Sequence, residues 1–402
     1  MFNRHHRGRR SPARGRRGIA LPFALTLLAI EFLDELVFGI GQASWPLIRT
    51  DFRLSYIQIG LLLTVPKLIA CLIEPAIGIL GDVWRRRALI LSGGVIFTLA
   101  LLLIATSNSF LLLLFAFVLF DPAAGAFVGL SQAALMDSDP PRHEQNMARW
   151  TLAGSLGNVV GPLALGGALV VGASWRGLYG ALSVMALLLV VIAWRFPFVT
   201  PSVVEAHDEP ESFRGGVVSA LAALKRREVL RWLVLLELAD LMLDGLHGYL
   251  ALYFVDVVGL SATQAGISLV VWTCVGLPGD ALLLLLLKRV RGLAYLRWSA
   301  LVVFVLFPFF LLAPGALSKL VLLGLLGFSN AGWYSILKAR LYSAMPGRSG
   351  TVMTLSNISG IAASLIPLAI GLVAERFGIG AAMWLLWLGP AAFIVGVPRE
   401  RK

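Results

Sequence analysis

Acidic residues stand inside the most apolar stretches of this sequence, where an ionised carboxylate is costly. Nine of the 22 acidic residues are placed in this way: Glu31, Asp34, Glu35, Glu74, Asp121, Glu237, Asp240, Asp244 and Asp280. A carboxylate at the centre of a membrane-inserted helix costs about 2.5–3.5 kcal/mol, so nine facing lipid would cost on the order of 20–30 kcal/mol. We therefore expect these side chains to face protein, water or one another, where they can take up protons or bind cations.

The spacing of these residues places them in two stripes, because helix positions three, four and seven residues apart share a face. The first stripe consists of Glu31, Asp34 and Glu35, and the second of Glu237, Asp240 and Asp244, which His247 continues. For Asp34 and Asp240 we predict proton coupling or cation binding. The alternative is a structural carboxylate held by hydroxyl groups or by Lys67, which itself needs an acidic partner near the middle of the membrane. For His247 alone, a satisfied polar side chain near a helix end is the plainer interpretation.

The elements that must position these side chains are membrane-spanning helices. The chain has 402 residues, of which 58% are apolar and 14% charged, and its mean hydropathy is +0.85. Because soluble proteins are about one quarter charged, this composition excludes an ordinary cytosolic enzyme. The net charge of +12 comes largely from basic residues at the N-terminus and in short loops, without interleaved aromatic residues. That distribution is typical of cytoplasmic loops and not of a nucleic-acid-binding surface.

Apolar runs between charged or Gly/Pro-rich stretches predict twelve spans. They lie near 19–41, 57–79, 88–106, 110–133, 150–172, 177–197, 230–255, 263–287, 297–314, 318–339, 351–373 and 378–397. Basic residues concentrate in alternate loops, which predicts a cell (inner) membrane protein with both termini in the cytoplasm. The predicted organisation is a basic N-terminus (1–18), a six-helix half (19–197), a cytoplasmic linker (198–229), a second six-helix half (230–397) and a cytoplasmic tail (398–402).

An internal repeat supports the division into halves. At a constant offset of 206 residues, Glu31 and Asp34 match Glu237 and Asp240. The same offset carries Leu54-Ser55-x-x-Gln58-x-Gly60 onto Leu260-Ser261-x-x-Gln264-x-Gly266. Apolar matches between hydrophobic segments arise easily by chance, but matches of acidic and polar residues do not. We therefore infer a duplication of a six-helix unit.

Two local motifs resemble those of a transporter family. The loop after the second span reads Gly78-x-Leu80-Gly81-Asp82-Val83-Trp84-Arg85-Arg86-Arg87. It resembles Gly-x-Leu-Ala-Asp-Arg-x-Gly-Arg-Lys of the major facilitator superfamily, with Arg85 in place of the second glycine and Val83 in place of an arginine. The fifth span contains Gly154-x-x-Gly157-x-x-x-Gly161-Pro162-x-x-x-Gly166-Gly167, which resembles the antiporter motif of drug/proton exporters. Small residues at such spacing let helices approach closely.

The resemblance implies an all-α membrane protein with twelve helices in two pseudo-symmetric six-helix halves. It implies that spans one, four, seven and ten line a central cavity, so that Asp121 joins the acidic stripes and span ten contributes Asn330, Trp333 and Tyr334. The glycine motif would be a hinge that also lines this cavity. Glu74 and Asp280 occupy symmetric positions and are predicted at the interface between the halves.

The first motif is expected to control gating. The resemblance implies that Asp82 stabilises the outward-open state, and that the arginines following Gly78 hold the loop at the lipid face. A plain positively charged loop capped by Asp82 is the alternative interpretation of the same residues.

A cavity with this many carboxylates favours cations over anions. We therefore expect a secondary transporter that exports cationic or amphiphilic small molecules in exchange for protons. The alternative is a divalent-metal transporter that uses the carboxylates with His247, and with Cys71 or Cys274, although the sequence holds no compact metal motif. A third interpretation is a member that senses a ligand or assists assembly without transporting it.

Motifs typical of group-transfer enzymes are missing from the sequence. It contains no Gly-x-x-x-x-Gly-Lys loop, no Gly-x-Ser-x-Gly elbow and no His-Glu-x-x-His helix. We therefore predict no enzymatic activity and no cofactor, with an ion gradient as the energy source. The predicted partners are a small-molecule substrate, protons and the lipid bilayer, without nucleic acid, for a monomeric protein.

Overall fold

The computed structural model of the chain describes residues 21–83, 86–138, 143–196, 224–286, 289–344 and 359–398. The described residues form long helices joined by short turns, and a π-helical segment, Gly125–Gly129, separates α4 from α5. The helices are α1 (Leu21–Phe52), α2 (Tyr56–Val83), α3 (Arg86–Thr106), α4 (Phe110–Ala124), α5 (Leu130–Ser138), α6 (His143–Val170), α7 (Trp175–Trp194), α8 (Arg227–Asp256), α9 (Ala262–Leu286), α10 (Gly292–Leu312), α11 (Ala316–Ser329), α12 (Trp333–Ser343), α13 (Ile366–Phe377), α14 (Ile379–Ala382) and α15 (Leu388–Gly396).

The repeated Leu-Ser-x-x-Gln motif forms the same structure at the beginnings of α2 and α9. The Ser55 amide donates to Gln58 Oε1 (2.9 Å), and the Gln58 amide donates to Ser55 Oγ (3.2 Å). Ser261 and Gln264 exchange the equivalent pair of bonds at 3.1 and 3.3 Å. Each motif is therefore a capping box, which satisfies backbone amides that a helix start leaves unpaired. This requirement explains why serine and glutamine recur at both positions.

Ten helices or helix pairs within the described residues are long and apolar enough to cross a membrane. The helices α1 and α8 are not among these ten, and they are the ones that carry the acidic stripes. The described residues are therefore helical, with many helices apolar enough for a multi-pass membrane protein, whereas the count of twelve and the six-helix halves stay predictions. The N-terminus (1–18), the tail (399–402) and most of the linker (197–223) lie outside the described residues.

Two predicted spans are interrupted in the structure. Span ten, predicted as one helix over 318–339, breaks between α11 and α12, where Gly332 has φ +71°. A Cβ atom at Gly332 would lie 1.8 Å from Leu283 Cδ2, so the backbone conformation and the close packing both require glycine here. Span twelve contains a 3₁₀ turn, Met383–Trp387. Hydropathy alone did not predict either interruption, because the residues involved are apolar or small.

Glycines bring α1 and α6 into close contact. A Cβ at Gly157 would lie 2.4 Å from the Phe32 carbonyl oxygen, and one at Gly161 would lie 2.8 Å from the Ile40 amide nitrogen. From the other side, a Cβ at Gly39 would lie 2.8 Å from the Asn158 carbonyl oxygen. The two backbones therefore touch over about two turns, which small residues alone permit.

Contacts between the first half of the chain (21–196) and the second (224–398) follow the internal repeat. A Cβ at Gly60 in α2 would lie 2.9 Å from Leu368 Cα in α13. A Cβ at Gly266 in α9 would lie 3.8 Å from the Pro162 carbonyl oxygen in α6. Gly60 and Gly266 are 206 residues apart, and so are Pro162 and Leu368. The contact of α2 with α13 and the contact of α9 with α6 are therefore made by residues that correspond in the internal repeat.

Candidate functional site

A cavity of about 520 Å³ lies between the two halves of the chain. Its walls come from α1, α2, α4, α8 and residues 360–367, with single contributions from α3 and α7. Among the described residues, six acidic side chains and one lysine line it: Asp34, Glu35, Glu74, Asp121, Asp240, Asp244 and Lys67. We call this space the acidic cavity.

The acidic cavity brings together side chains that the sequence predicted as a site. Asp34 and Glu35 come from the first stripe, and Asp240 and Asp244 from the second. Carboxylates that share one cavity repel one another, so bound protons or cations lower the free energy of the site. Cation binding by these carboxylates stays a prediction.

Glu74 lies on the wall of this cavity between the halves. A Cβ at Gly125 would lie 2.9 Å from Glu74 Cγ, so the Glu74 side chain packs against the π-helical segment that follows Asp121. π-Helical turns inside α-helices occur often at functional sites. The symmetric partner of Glu74 in the repeat, Asp280, has a side chain outside the described part of the structure.

Lys67 forms an ion pair across the acidic cavity. Its Nζ lies 3.4 Å from Asp244 Oδ2, and the two side chains are 51% and 66% exposed. Lys67 belongs to α2 and Asp244 to α8, so the pair joins the two halves of the chain. The acidic partner predicted for Lys67 is therefore Asp244, and Asp34 and Asp240 line the cavity without such a bond in the structure as described.

Two further cavity residues were missed by the sequence analysis. Gln42 and Trp45 line the acidic cavity, and both are buried. Gln42 Oε1 and Trp45 Nε1 have no hydrogen-bond partner among the described residues. The described structure therefore leaves one buried acceptor and one buried donor at this wall without a hydrogen bond. Only their position, two and three turns beyond Asp34 on the same helix, gave a signal in the sequence.

Two acidic residues of the stripes do not line the acidic cavity. Glu31 is buried beside α6, where a Cβ at Gly154 would lie 2.6 Å from Glu31 Oε1. Glu237 is half-buried and is also not among the described residues of the cavity wall. The acidic residues of α1 spread over a wider part of the helix surface than the cavity covers, so Glu31 faces the neighbouring helix α6.

The residues predicted from span ten, together with His247, lie at a second cavity of about 270 Å³. This cavity, which we call the interhelical pocket, lies between α6, α8, α9 and the break in span ten. Its lining includes His247, Asn330, Trp333 and Tyr334. In the structure as described, these residues therefore line a different cavity from the carboxylates, and their binding of substrate or protons stays a prediction.

Trp333 does not offer its ring to a ligand. Its side chain is 1% exposed, its Nε1 donates to Ser299 Oγ (2.8 Å), and its ring packs edge-to-face on Phe393 at 4.4 Å. Trp333 is therefore a structural residue that anchors the beginning of α12.

The glycine motif of span five packs helices and is not part of the cavity wall. Gly154, Gly157, Gly161 and Pro162 contact α1, as described above, and no α6 residue is among the described residues that line the acidic cavity. A Cβ at Gly166 would lie 3.7 Å from Thr263 Cγ2, which is ordinary van der Waals contact. A Cβ at Gly167 would have no described atom of another element within 4 Å. The part of the motif that packs closely against α1 therefore ends at Pro162.

In the loop motif after span two, the structure differs from the expected lipid-facing arginines. Arg86 is buried, and its guanidinium donates to Asp137 Oδ2 in α5 (2.6 Å) and to the Gly81 carbonyl oxygen (3.2 Å). Arg87 is exposed and donates to the Trp194 carbonyl oxygen. Asp137 was missed, because it lies outside the predicted span and outside the motif.

The two glycines of this motif differ in how closely they are packed. A Cβ at Gly78 would have no described atom within 4 Å, whereas one at Gly81 would lie 2.5 Å from Leu130 Cδ2. Close packing in the motif therefore depends on Gly81. Arg85 and the side chain of Asp82 lie outside the described residues.

Replacing Arg86 with glutamine is expected to destabilise the protein by about 1.5–3 kcal/mol, the usual contribution of a hydrogen bond to a charged group. The reason is that the change removes the ion pair that ties α3 to α5. Thermal unfolding of the detergent-solubilised protein measures the effect. The matched control is Arg87→Gln, which alters an exposed neighbour and is expected to change stability by less than about 1 kcal/mol. Equal melting temperatures for the two variants would contradict the structural function of Arg86.

A polar network closes the end of the bundle at which α1 ends and α2 begins. Arg49 and Tyr56 Oη both bond to Asp256 Oδ2 at the end of α8. The Arg49 guanidinium lies over the Tyr56 ring at 4.1 Å. The Tyr56 amide donates to Glu375 Oε2 in α13 (2.7 Å). Arg49 and Tyr56 belong to the first half of the chain and Asp256 and Glu375 to the second, so the network joins the halves at this closed end.

Asp256→Asn is expected to open this end more often, because it removes the anion that Arg49 and Tyr56 share. The ion pair is partly exposed, with side chains 29% and 27% accessible, so we expect about 1 kcal/mol, or about a fivefold change in the conformational equilibrium. Pulsed EPR distances between spin labels at the exposed positions Val171 and Leu317 report the opening.

The matched control for this experiment is Asp51→Asn at the same end. Asp51 accepts from Trp175 Nε1 (2.7 Å) and pairs with Arg176, both within the first half of the chain. Its loss is therefore expected to leave the distance between the labels unchanged. A distribution that is the same for Asp256→Asn and the unmodified chain would show that the network does not hold the closed end.

The described residues give little support to a resident metal site. Within the described ranges, no group of three or more His, Cys, Asp or Glu side chains is placed to hold a metal ion. His247 lies at the interhelical pocket and not with the carboxylates. Cys71 lines the acidic cavity, whereas Cys274 is exposed. The ligand set assumed for the divalent-metal alternative is thus not brought together.

Comparison with known proteins agrees with this architecture. A fosmidomycin resistance protein of Escherichia coli (strain K12) is 25% identical over 375 residues, which cover 87% of this chain and 85% of that protein. A bacterial homolog of the human lysosomal transporter Spinster, in an inward-facing and occupied conformation, superposes with a TM-score of 0.72 at 16% identity, covering 93% of each chain. The nucleoside transporter NupG superposes with a TM-score of 0.73 at 14% identity, covering 93% of this chain and 97% of that one.

The two structural similarities show the fold alone, since both identities are low. The sequence model described as Major Facilitator Superfamily matches residues 27–367, which is most of the chain. Members of this family are transporters and not enzymes. The chain belongs to the major facilitator superfamily.

Proposed function

We propose that this protein is a secondary active transporter that exports cationic or amphiphilic small molecules in exchange for protons. The observation that carries the proposal is the acidic cavity, where six carboxylates face one lysine. A substrate cation and protons would compete for these carboxylates, and alternating access would carry each across the membrane in turn. Asp34 and Asp240 are the proposed coupling residues, and Glu35, Asp121 and Asp244 complete the proton- and substrate-binding set.

The cavity also offers contacts for an amphiphilic molecule. Phe38, Phe117 and Phe120 line it with aromatic surface, which suits the face of an organic cation. Gln42 Oε1 and Trp45 Nε1 provide an acceptor and a donor without partners in the described structure. A relative named for fosmidomycin resistance supports export of a toxic compound.

The arrangement of contacts supports alternating access. The network of Arg49, Tyr56, Asp256 and Glu375 joins the halves at one end, while Lys67 and Asp244 in the acidic cavity remain exposed to solvent. We propose that the structure represents the inward-facing state of a monomer in the cell (inner) membrane, with both termini cytoplasmic and the chain divided at 198–229 into two six-helix halves.

The test uses the purified full chain in liposomes with an acidic lumen. Protons leaving the lumen are expected to drive accumulation of ethidium, a lipophilic organic cation, and a proton ionophore is expected to abolish the accumulation. Protein-free liposomes under the same gradient provide the background. Ethidium flux equal to that background would overturn the cation-export proposal.

Two further substrates in the same liposomes separate the alternatives. Fosmidomycin is included because of the relative's name, and its gradient-driven flux without ethidium flux would overturn the cationic substrate class while supporting drug-type transport. Manganese entry is followed with a metal-quenched dye inside the lumen. Saturable entry of manganese without ethidium flux would favour the divalent-metal alternative.

A further inference from the structure

The interhelical pocket is distinct from the acidic cavity in both position and chemistry. It has a volume of about 270 Å³ and shares no lining residue with the acidic cavity. Its described lining contains polar but no acidic or basic side chains, apart from the histidine. A ligand of a different class is therefore expected here.

Two buried polar atoms at this pocket have no hydrogen-bond partner among the described residues. They are His247 Nε2, from α8, and Asn158 Oδ1, from α6. The His247 side chain is only 9% exposed. A buried polar group without a partner is costly, and most such groups in proteins bond to something. A molecule that bonds to both atoms would remove this cost.

The break in span ten completes a preformed pocket. Residues 330–332 line it, and irregular backbone at membrane depth is tolerated only where it is buried or lines a cavity. Two hydrogen bonds from α10 hold the break in place. Tyr295 Oη donates to the Ala331 carbonyl oxygen (2.9 Å), and Ser299 Oγ accepts from Trp333 Nε1. In transporters, broken helices of this kind commonly border binding sites.

The chemistry of the two atoms restricts the ligand. An amide oxygen such as Asn158 Oδ1 accepts only, so the ligand must carry an N–H or O–H donor. The ring nitrogen of a neutral histidine either donates or accepts, so an amide or a hydroxyl satisfies it. No ionised side chain on the described wall would stabilise a charged ligand. The volume equals that of about nine water molecules at about 30 Å³ each, which is room for one small ring with a polar substituent.

We propose that the interhelical pocket binds a small uncharged amide or alcohol, independently of the acidic cavity. His247 and Asn158 recognise its polar group, and Trp272 and Leu277 provide apolar surface. The His247 ring packs edge-to-face on Phe38 at 5.5 Å, and Phe38 lines the acidic cavity. The proposal does not rest on the transport proposed above.

The test uses benzamide, which combines a small ring with an uncharged donor and acceptor, in the full chain carrying Cys274→Ser and Ser335→Cys. Ser335 lines the pocket and is exposed, so its replacement reports access to N-ethylmaleimide. Benzamide at about twice its dissociation constant is expected to slow alkylation at position 335 about threefold. The native Cys71 lines the acidic cavity and is the internal control, whose alkylation rate is expected to stay unchanged.

Variants of the two recognising residues define the site. His247→Phe keeps an aromatic ring but removes the nitrogen, and Asn158→Leu keeps the size but removes the oxygen. Each is expected to abolish protection by benzamide. Protection that persists in both variants, or an alkylation rate at position 335 that benzamide does not change, would overturn the proposal.

A second measurement needs no substitution. Benzamide is expected to raise the melting temperature of the unmodified chain, whereas benzoate, which has the same ring but a charge, is expected to leave it unchanged. An equal shift with benzoate would show that the site does not select uncharged ligands. No shift with either compound would contradict binding altogether.

Discussion

Replacing Asp240 with asparagine is expected to reduce gradient-driven flux of ethidium to the background of protein-free liposomes. Asparagine preserves the size of the side chain but neither ionises nor takes up a proton at neutral pH, so the exchange of cation for proton at this position is lost. The same result is expected for Asp34→Asn in α1, which lines the same acidic cavity. Initial rates under an imposed pH gradient measure both effects, and size-exclusion profiles show whether the variants fold.

The matched control for Asp240→Asn is Glu228→Gln in the same helix. Glu228 lies in the first turn of α8, is exposed, and is not among the described residues that line either cavity. Its replacement removes one carboxylate from α8 without altering the acidic cavity, so flux is expected to equal that of the unmodified chain. Full gradient-driven flux in both Asp34→Asn and Asp240→Asn would refute the assignment of these residues to coupling.

Gly157→Leu is expected to prevent assembly of the folded protein. The Cβ atom alone would lie 2.4 Å from the Phe32 carbonyl oxygen and 2.9 Å from the Leu36 amide nitrogen. Both are backbone atoms in the middle of α1, so no side-chain rotation relieves the overlap, and the helices must separate. We expect a loss of about 3 kcal/mol, the upper end of the usual cost of overpacking, because backbone atoms cannot move aside. The yield of monodisperse protein and its melting temperature measure the loss.

Gly167→Leu is the matched control within the same motif. Gly167 is exposed, and a Cβ there has no described atom within 4 Å. Leucine is favoured over glycine in a helix by up to about 1 kcal/mol, so this variant is expected to be at least as stable as the unmodified chain. If Gly157→Leu and Gly167→Leu gave similar yields, the close contact of α1 with α6 would not explain the motif.

The sequence predicted most of the helices and the acidic cavity because both follow from strong local signals. Apolar runs of about 20 residues define spans, and carboxylates within them must face away from lipid. That argument predicted that Asp34 and Asp240 avoid lipid, the family resemblance added Asp121, and all three line the acidic cavity. It did not separate Glu31 from Asp34, because residues three apart on a helix differ by about 60° in direction, which is enough for one to face a neighbouring helix.

The features that the sequence analysis missed depend on long-range packing. Arg86 was expected at the lipid face because a basic loop normally lies there, yet its partner Asp137 is 51 residues away. The network of Arg49 and Asp256 joins residues more than 200 positions apart. The break at Gly332 depends on packing against Leu283 of another helix. Spacing along one helix contains no information about such partners.

The ion pair between Lys67 and Asp244 has an electrical consequence. An ammonium group that belongs to the protein neutralises one carboxylate whether or not substrate is present, so the unloaded cavity carries one negative charge fewer. Moving one elementary charge through a membrane potential of 100 mV costs about 2.3 kcal/mol. In the exchange proposed above, Lys67 therefore lowers by one the number of protons that must bind before the cavity is electrically neutral for the return step.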